Sequence, residues 1–124
     1  MTDKEKRNLE RVKLWEQTWN EDVMRMVDEL YAEDCEVRNM ITGFVVRGRE
    51  PFREVERAIE THSPDRRMRV YRTVASGDVV ALEADVFFGG KQAQGCVFLT
   101  FDEKGWIKSD HSYAADPTGT TNPP

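Results

Sequence analysis

Residues 79–88 read Val79-Val80-Ala81-Leu82-Glu83-Ala84-Asp85-Val86-Phe87-Phe88. A strand sends every second side chain to one face. One set here, Val80, Leu82, Ala84, Val86 and Phe88, is wholly apolar. The other includes Glu83 and Asp85, which should face water or a partner subunit. Such a stretch predicts a strand with one buried face. Turns flank it, Ser76-Gly77-Asp78 before and Gly89-Gly90 after. Further strands follow over Arg67–Ala75, Gln94–Phe101 and Trp106–Ala114, with Asp102–Gly105 as the last turn. The second half of the chain is therefore an antiparallel meander.

Upstream the period changes. Leu9, Val12, Trp15 and Trp19 recur at helical steps, predicting a helix over Thr2–Thr18 that Asn20 interrupts. A second helix is expected over Glu21–Ala32, with Val23, Met26, Val27, Leu30 and Tyr31 on one face. There Tyr31 would sit at the helix end, its hydroxyl reaching a pocket mouth. From Cys35 to Met40 the alternation is that of a strand, and Gly43–Gly48 suits a turn with a short return strand. Pro51 fits the first turn of a third helix, closed by Ser63-Pro64. Helices first and long strands afterwards predict an α+β fold, helices packed on one face of a curved sheet.

Composition bounds the function. The chain has 124 residues, a net charge of −5 and 39% hydrophobic residues, the size and make-up of one globular domain. Residues 1–116 are read as that domain and residues 117–124, rich in Pro, Thr, Gly and Asn, as a flexible tail. An acidic balance argues against nucleic-acid binding, and no apolar run reaches the ~20 residues that span a bilayer. The charged start lacks a secretory signal, and Cys35 and Cys96 read as free thiols, so a cytoplasmic location is expected. Phosphate-binding loops and metal-spaced His/Cys clusters are missing, which leaves cofactor-free chemistry or none. The run Arg66-Arg67-Arg69-Arg72 reads as a solvated strand edge, and His62 suits the negative end of a helix.

The last strand offers two faces. Trp106, Lys108, Asp110 and Ser112 form one set; Ile107, Ser109, His111 and Tyr113 form the other. If the first points inward, Asp110 enters an apolar interior, where burial raises a carboxyl pKa above ~3.9. Asp110-His111-Ser112 is no triad, because neighbouring strand residues face opposite ways. In Gln94–Phe101 neither set is strongly polar, and a second half-apolar sheet face predicts a homodimer through the outer face.

Three stretches carry a family resemblance: Trp19-Asn20-Glu21-Asp22, then Leu30 through Val37, then Gly48-Arg49-Glu50 opening a helix. Together they resemble the NTF2-like superfamily and its SnoaL-like members, relatives of polyketide cyclases, ketosteroid isomerases, limonene epoxide hydrolases and scytalone dehydratases. The resemblance covers about residues 5–115 and implies a cone: three helices on a strongly bent, mostly antiparallel sheet with a pocket inside. That fold hosts unrelated chemistries and non-catalytic members. The ketosteroid isomerase aspartate is matched here by Asn39, its oxyanion-binding tyrosine by Trp15 and its second acid by Val97. The Arg and two Asp of the epoxide hydrolases are matched by Ala84, Val86 and Ser112. The SnoaL-like histidine and acid/base aspartate are matched by Asp110 and Ser112.

Neither the isomerase nor the epoxide hydrolase residues are therefore retained, and Asp110 is the one acid expected inside the cone. The resemblance implies a cofactor-independent enzyme acting on a small hydrophobic metabolite by isomerase-, cyclase- or hydrolase-type acid–base chemistry. Asp110 would carry the proton, while Asn39 and Trp15 hydrogen-bond a developing oxyanion. The expected pocket wall is Trp15, Trp19, Tyr31, Val37, Met40, Leu82, Ala84, Val86, Val97, Leu99 and Ser112, around a cavity of roughly 300 Å³ or more. The alternative is a non-catalytic module of the same fold, either binding a small hydrophobic ligand or serving dimerisation alone.

Overall fold

Thr2 starts the first helix by a reciprocal cap. Its hydroxyl accepts from the Glu5 backbone N–H at 3.1 Å, and the Glu5 carboxylate accepts from the Thr2 N–H at 2.8 Å. In the computed structural model, which describes residues 1–114, helix α1 then runs over Asp3–Glu21. Asn20 does not break it. Asp22 both closes α1, through its N–H on the Thr18 carbonyl, and opens α2 (Val23–Leu30), its carboxylate accepting from the Arg25 N–H. Val23, Met26, Val27 and Leu30 form the buried side of α2.

The chain turns extended earlier than its periodicity suggests. Tyr31 is the first residue of β1 (Tyr31–Asn39) rather than part of a helix. Strand β2 (Val45–Arg47) returns beside it, and α3 (Arg49–His62) follows Gly48. Gly48 takes φ +95° while its N–H reaches the Cys35 carbonyl at 2.7 Å, a positive φ that glycine accepts without strain. Strands β3 (Arg67–Ser76), β4 (Val79–Phe88), β5 (Lys91–Phe101) and β6 (Ile107–Tyr113) make the expected meander. The flexible tail expected at 117–124, like residues 115–116, lies outside the described residues.

The six strands form one sheet in the order β2-β1-β6-β5-β4-β3. All neighbours are antiparallel except β1 and β6, which pair in parallel. The first strand thus closes on the last. At the other edge, α1 covers part of β3. The Asn20 amide donates to the Met68 carbonyl and accepts from the Met68 N–H, both at 2.8 Å, and Glu16 accepts from the Val70 N–H at 2.9 Å. Side chains of a helix thereby satisfy backbone groups that an edge strand would otherwise leave free.

The core lies between the helices and the inner sheet face, where Val80, Leu82, Ala84, Leu99 and Phe101 pack with Trp15, Phe52 and the apolar side of α2. Two expectations about faces need correction. Asp85 does not face water: it is buried, bonded at 2.5 Å to Arg69, which stands opposite it on β3 and covers it. Arg66 is not a solvated edge residue but is buried.

Candidate active site

Strict alternation along β6 would place Ile107 and Asp110 on opposite faces. Both are buried. The pairing with β5 slips between Thr100/Ser109 and Phe101/Ile107, so that two steps on β6 oppose one on β5. This bulge at Lys108 turns Lys108 outward and lets Ile107 and Asp110 share the interior. The inward aspect of Asp110 agrees with the sequence reading, whereas the inward set did not foresee Lys108 outside and Ile107 within.

Tyr31 meets Asp110 there. The phenol donates to Asp110 Oδ2 at 2.6 Å and itself accepts from the Trp15 indole N–H at 2.9 Å. Tyr31 is wholly buried, Trp15 is 4% exposed and Asp110 7%. The chain therefore runs indole to phenol to carboxyl, each member held by packing. The Tyr31 ring lies against Phe52 with centroids 4.6 Å apart. Its backbone carbonyl is clamped by Arg49, whose Nε and Nη2 donate at 2.9 and 2.7 Å. Desolvation pushes the Asp110 carboxyl up to about 6, with the Tyr31 hydrogen bond pulling it down and the nearby Glu56 adding to the rise. The Tyr31 phenol is raised well above its ordinary value by burial and by the charge of Asp110. Burial likewise lifts the Cys35 thiol to about 11, which makes it an inert core thiol.

A second polar group faces the same interior. Arg66 Nη1 donates to Glu56 Oε2 at 3.1 Å, both side chains being less than a tenth exposed. The Arg66 guanidinium lies 4.3 Å from the Trp19 ring centroid, and Trp19 meets Phe88 edge-on at 6.2 Å. Desolvation raises the Glu56 carboxyl, against the pull of Arg66 and of the Trp19 indole. Sequence reading missed this pair. Its signal was present in the helical spacing of Phe52, Val55 and Ile59, since Glu56 falls on the buried side of α3 beside Phe52.

Other expected residues are placed differently. Asn39 does not turn its amide toward Asp110. Its Oδ1 accepts from the Ile41 and Thr42 N–H groups at 2.9 and 3.1 Å, and its Nδ2 donates to the Ala114 carbonyl at 3.2 Å. Asn39 thus closes the turn after β1, as Asn commonly does where a chain reverses. Met40 is 41% exposed at that turn. The Ser112 hydroxyl points to the Arg38 carbonyl at 3.5 Å. Leu82, Ala84 and Leu99 are buried beside Trp15 and Tyr31, while Trp19, Val37, Val86 and Val97 pack around them partly exposed. Beside Asp110 stands Tyr31, with Phe52 against its ring. Hollows of about 380 and 270 Å³ lie elsewhere, one between α1 and β3 over Leu9, Val12 and Val70, the other over Val74, Ala81 and Cys96. On the outer sheet face Phe98 and Tyr113 are exposed with rings 5.9 Å apart, and His111 Nε2 sits 2.9 Å from Glu36.

Among the described residues, no three His, Cys, Asp or Glu side chains gather as a metal site. None of the helices there is long and apolar enough to cross a membrane.

Solved structures share this architecture. A proposed ketosteroid isomerase from Kribbella flavida is 20% identical, with a TM-score of 0.79 over 96% of this chain and 83% of that one. A proposed SnoaL-like polyketide cyclase from Jannaschia sp. CCS1 is 15% identical, with a TM-score of 0.78 over 92% and 89%. An NTF2-like protein from Mesorhizobium loti is 20% identical, with a TM-score of 0.80 over 94% and 97%. At such identities the likeness is one of fold. No curated protein sequence matches the chain. The model of the SnoaL-like domain matches residues 12–109, from the first helix to the residue before Asp110. The chain belongs to the SnoaL-like domain family.

Proposed function

We propose that this protein is a cofactor-independent acid–base enzyme of the isomerase, cyclase or hydrolase type, acting on a small hydrophobic metabolite. One observation carries the reading: a buried carboxyl with a pKa of about 6, oriented by a 2.6 Å bond from Tyr31. A group with that pKa is part carboxylate and part acid near neutrality, so it can take a proton and return it. Tyr31 occupies Oδ2 and fixes the carboxyl plane, leaving Oδ1 to receive the proton. Trp15 holds Tyr31 and so acts on the reaction through it, rather than as the oxyanion donor. Asn39, spent on its turn, has no part in the chemistry.

A cyclic ketone reports on this directly. Exchange of its α-protons for deuterium, followed by NMR, should be accelerated by the protein and follow a titration near pH 6. Asp110→Asn should lower that acceleration about a hundredfold or more. Equal exchange in protein and variant would overturn the reading.

A second reading has its own support, since Tyr31, Phe52 and Trp15 are all buried among the core side chains. In that case the domain serves dimerisation without catalysis. The exposed aromatic pair Phe98 and Tyr113 supports a homodimer through the outer sheet face under either reading.

A further inference from the structure

On an edge strand every second residue turns its N–H and C=O away from the ladder, so what covers them matters. Along β3 the cover is α1. Asn20 takes both backbone groups of Met68, Glu16 takes the Val70 N–H, and past the strand's end Glu5 accepts from the Gly77 N–H at 2.8 Å. Lys4, paired with Asp78 at 2.9 Å, fixes the same end. Between these two clamps the cover stops. Gly77-Asp78 is a two-residue hairpin loop, with φ +59° at Gly77, closed by the pair Ser76–Val79. Counted back from that pair, Val74 and Arg72 bond to β4, while Thr73 and Ala75 turn their N–H and C=O outward. No side chain or loop among the described residues bonds to those groups. The hollow of about 380 Å³ between α1 and β3 lies at this gap. It is lined by buried Val12, part-buried Leu9 and Val70, and exposed Lys13 and Thr73. Of the charged side chains there, Glu16 is held by the Val70 N–H and Arg72 by Glu83, whereas Lys13 has no carboxylate partner among the described residues.

We infer that this hollow is a binding site for an N-acyl amino acid with an apolar side chain, which pairs with the outward backbone of Thr73 as one residue of an added strand. In an antiparallel pair two opposed residues exchange both N–H···O bonds. A single acylated amino acid supplies that pattern. Its amide N–H donates to the Thr73 carbonyl, and one carboxylate oxygen accepts from the Thr73 N–H. The other carboxylate oxygen meets Lys13, a cation that would otherwise stand unpaired. Its side chain rests on Leu9, Val12 and Val70. The clamps decide the size of the ligand. A longer strand added to β3 would run into α1 at Met68–Val70 on one side and at Gly77 on the other, so a partner's extended segment does not fit. The hollow is large enough for a small molecule. This site is separate from the Asp110 interior and does not rest on the acid–base reading.

Titration of isotope-labelled protein with N-acetyl-L-leucine, followed by NMR, tests the assignment. Saturable shifts should concentrate at the Thr73 and Ala75 amides and along α1 at Leu9 and Lys13. The acetate ester of leucic acid, which has an oxygen in place of the amide N–H, should bind about tenfold more weakly. Lys13→Met should weaken N-acetyl-leucine about threefold and leave the uncharged N-acetyl-leucinamide unchanged. Thr73→Pro deletes the outward N–H, and an edge strand tolerates proline where the nitrogen faces away from the ladder. With its fold established by circular dichroism melting, this variant should bind about tenfold more weakly or worse. Thr73→Val, which keeps the backbone donor, should bind like the parent. The ester bound as tightly as the amide would overturn the proposal whether or not the proline variant folds. So would the largest shifts falling away from α1 and β3, no saturable binding by about 50 mM, or a folded Thr73→Pro that binds like the parent.

Discussion

At Asp110 stability and the proposed chemistry oppose each other. Its folded pKa of about 6 stands above the ordinary 3.8, so the folded state holds its proton more tightly than the unfolded chain. The stabilising effect is complete below pH ~4 and is lost as pH rises through ~6, at a cost of about 3 kcal/mol above that. Asp110→Asn removes the ionisable group and should flatten this dependence between pH 4 and 6. Urea denaturation should then find the variant more stable than the parent at pH 7.5, by about 1–3 kcal/mol. Tyr31→Phe acts the other way. It takes a donor from Asp110 and an acceptor from Trp15, which should destabilise the fold by about 1–3 kcal/mol. Since the Tyr31 bond lowers the Asp110 pKa, its loss should also move the midpoint of α-proton exchange against pH above 6. An unmoved midpoint would mean that Tyr31 does not tune the carboxyl.

Elements are held as much by their edges as by their cores. The Asn20 amide binds both backbone groups of Met68 on the outer strand β3. Asn20→Ala should cost about 2 kcal/mol in thermal or urea unfolding, and amide exchange at Met68 should accelerate more than at β5. Most elements were legible in sequence, because hydrophobic periodicity and the Gly-rich turns speak directly to them. Strand β4 begins and ends where its alternation says. What was not legible depends on partners distant in sequence. The bulge at Lys108 exists only in the register of β6 against β5, and Tyr31 leaves its helical stripe because Arg49 holds its carbonyl and Asp110 its hydroxyl. Asn39 had the right face by parity, yet a local turn claimed its amide. Arg66 looked like one of a run of surface arginines until Glu56 gave it a buried partner.

At the scale of the whole molecule, the two faces of the sheet differ in what they carry. The inner one carries the Trp15–Tyr31–Asp110 chain and the Glu56–Arg66 pair. The outer one exposes Phe87, Phe98 and Tyr113. Phe98→Glu should convert a homodimer to monomers in sedimentation velocity, with little change in the far-ultraviolet circular dichroism. A parent already monomeric at micromolar concentration would remove the proposed association.

The parallel contact of β1 with β6 has a consequence for synthesis. Tyr31 and Val37 leave the ribosome long before Ile107 and Asp110, their neighbours across the sheet, have been translated. Until then the amino-terminal third offers an unpaired ribbon and a phenol with no acceptor. Such long-range closure slows folding and leaves sticky intermediates exposed. A stop codon before residue 107 would therefore discard more than a terminal strand. It would leave the first half of the polypeptide without the seam that joins it to the rest, a natural target for chaperones and proteases.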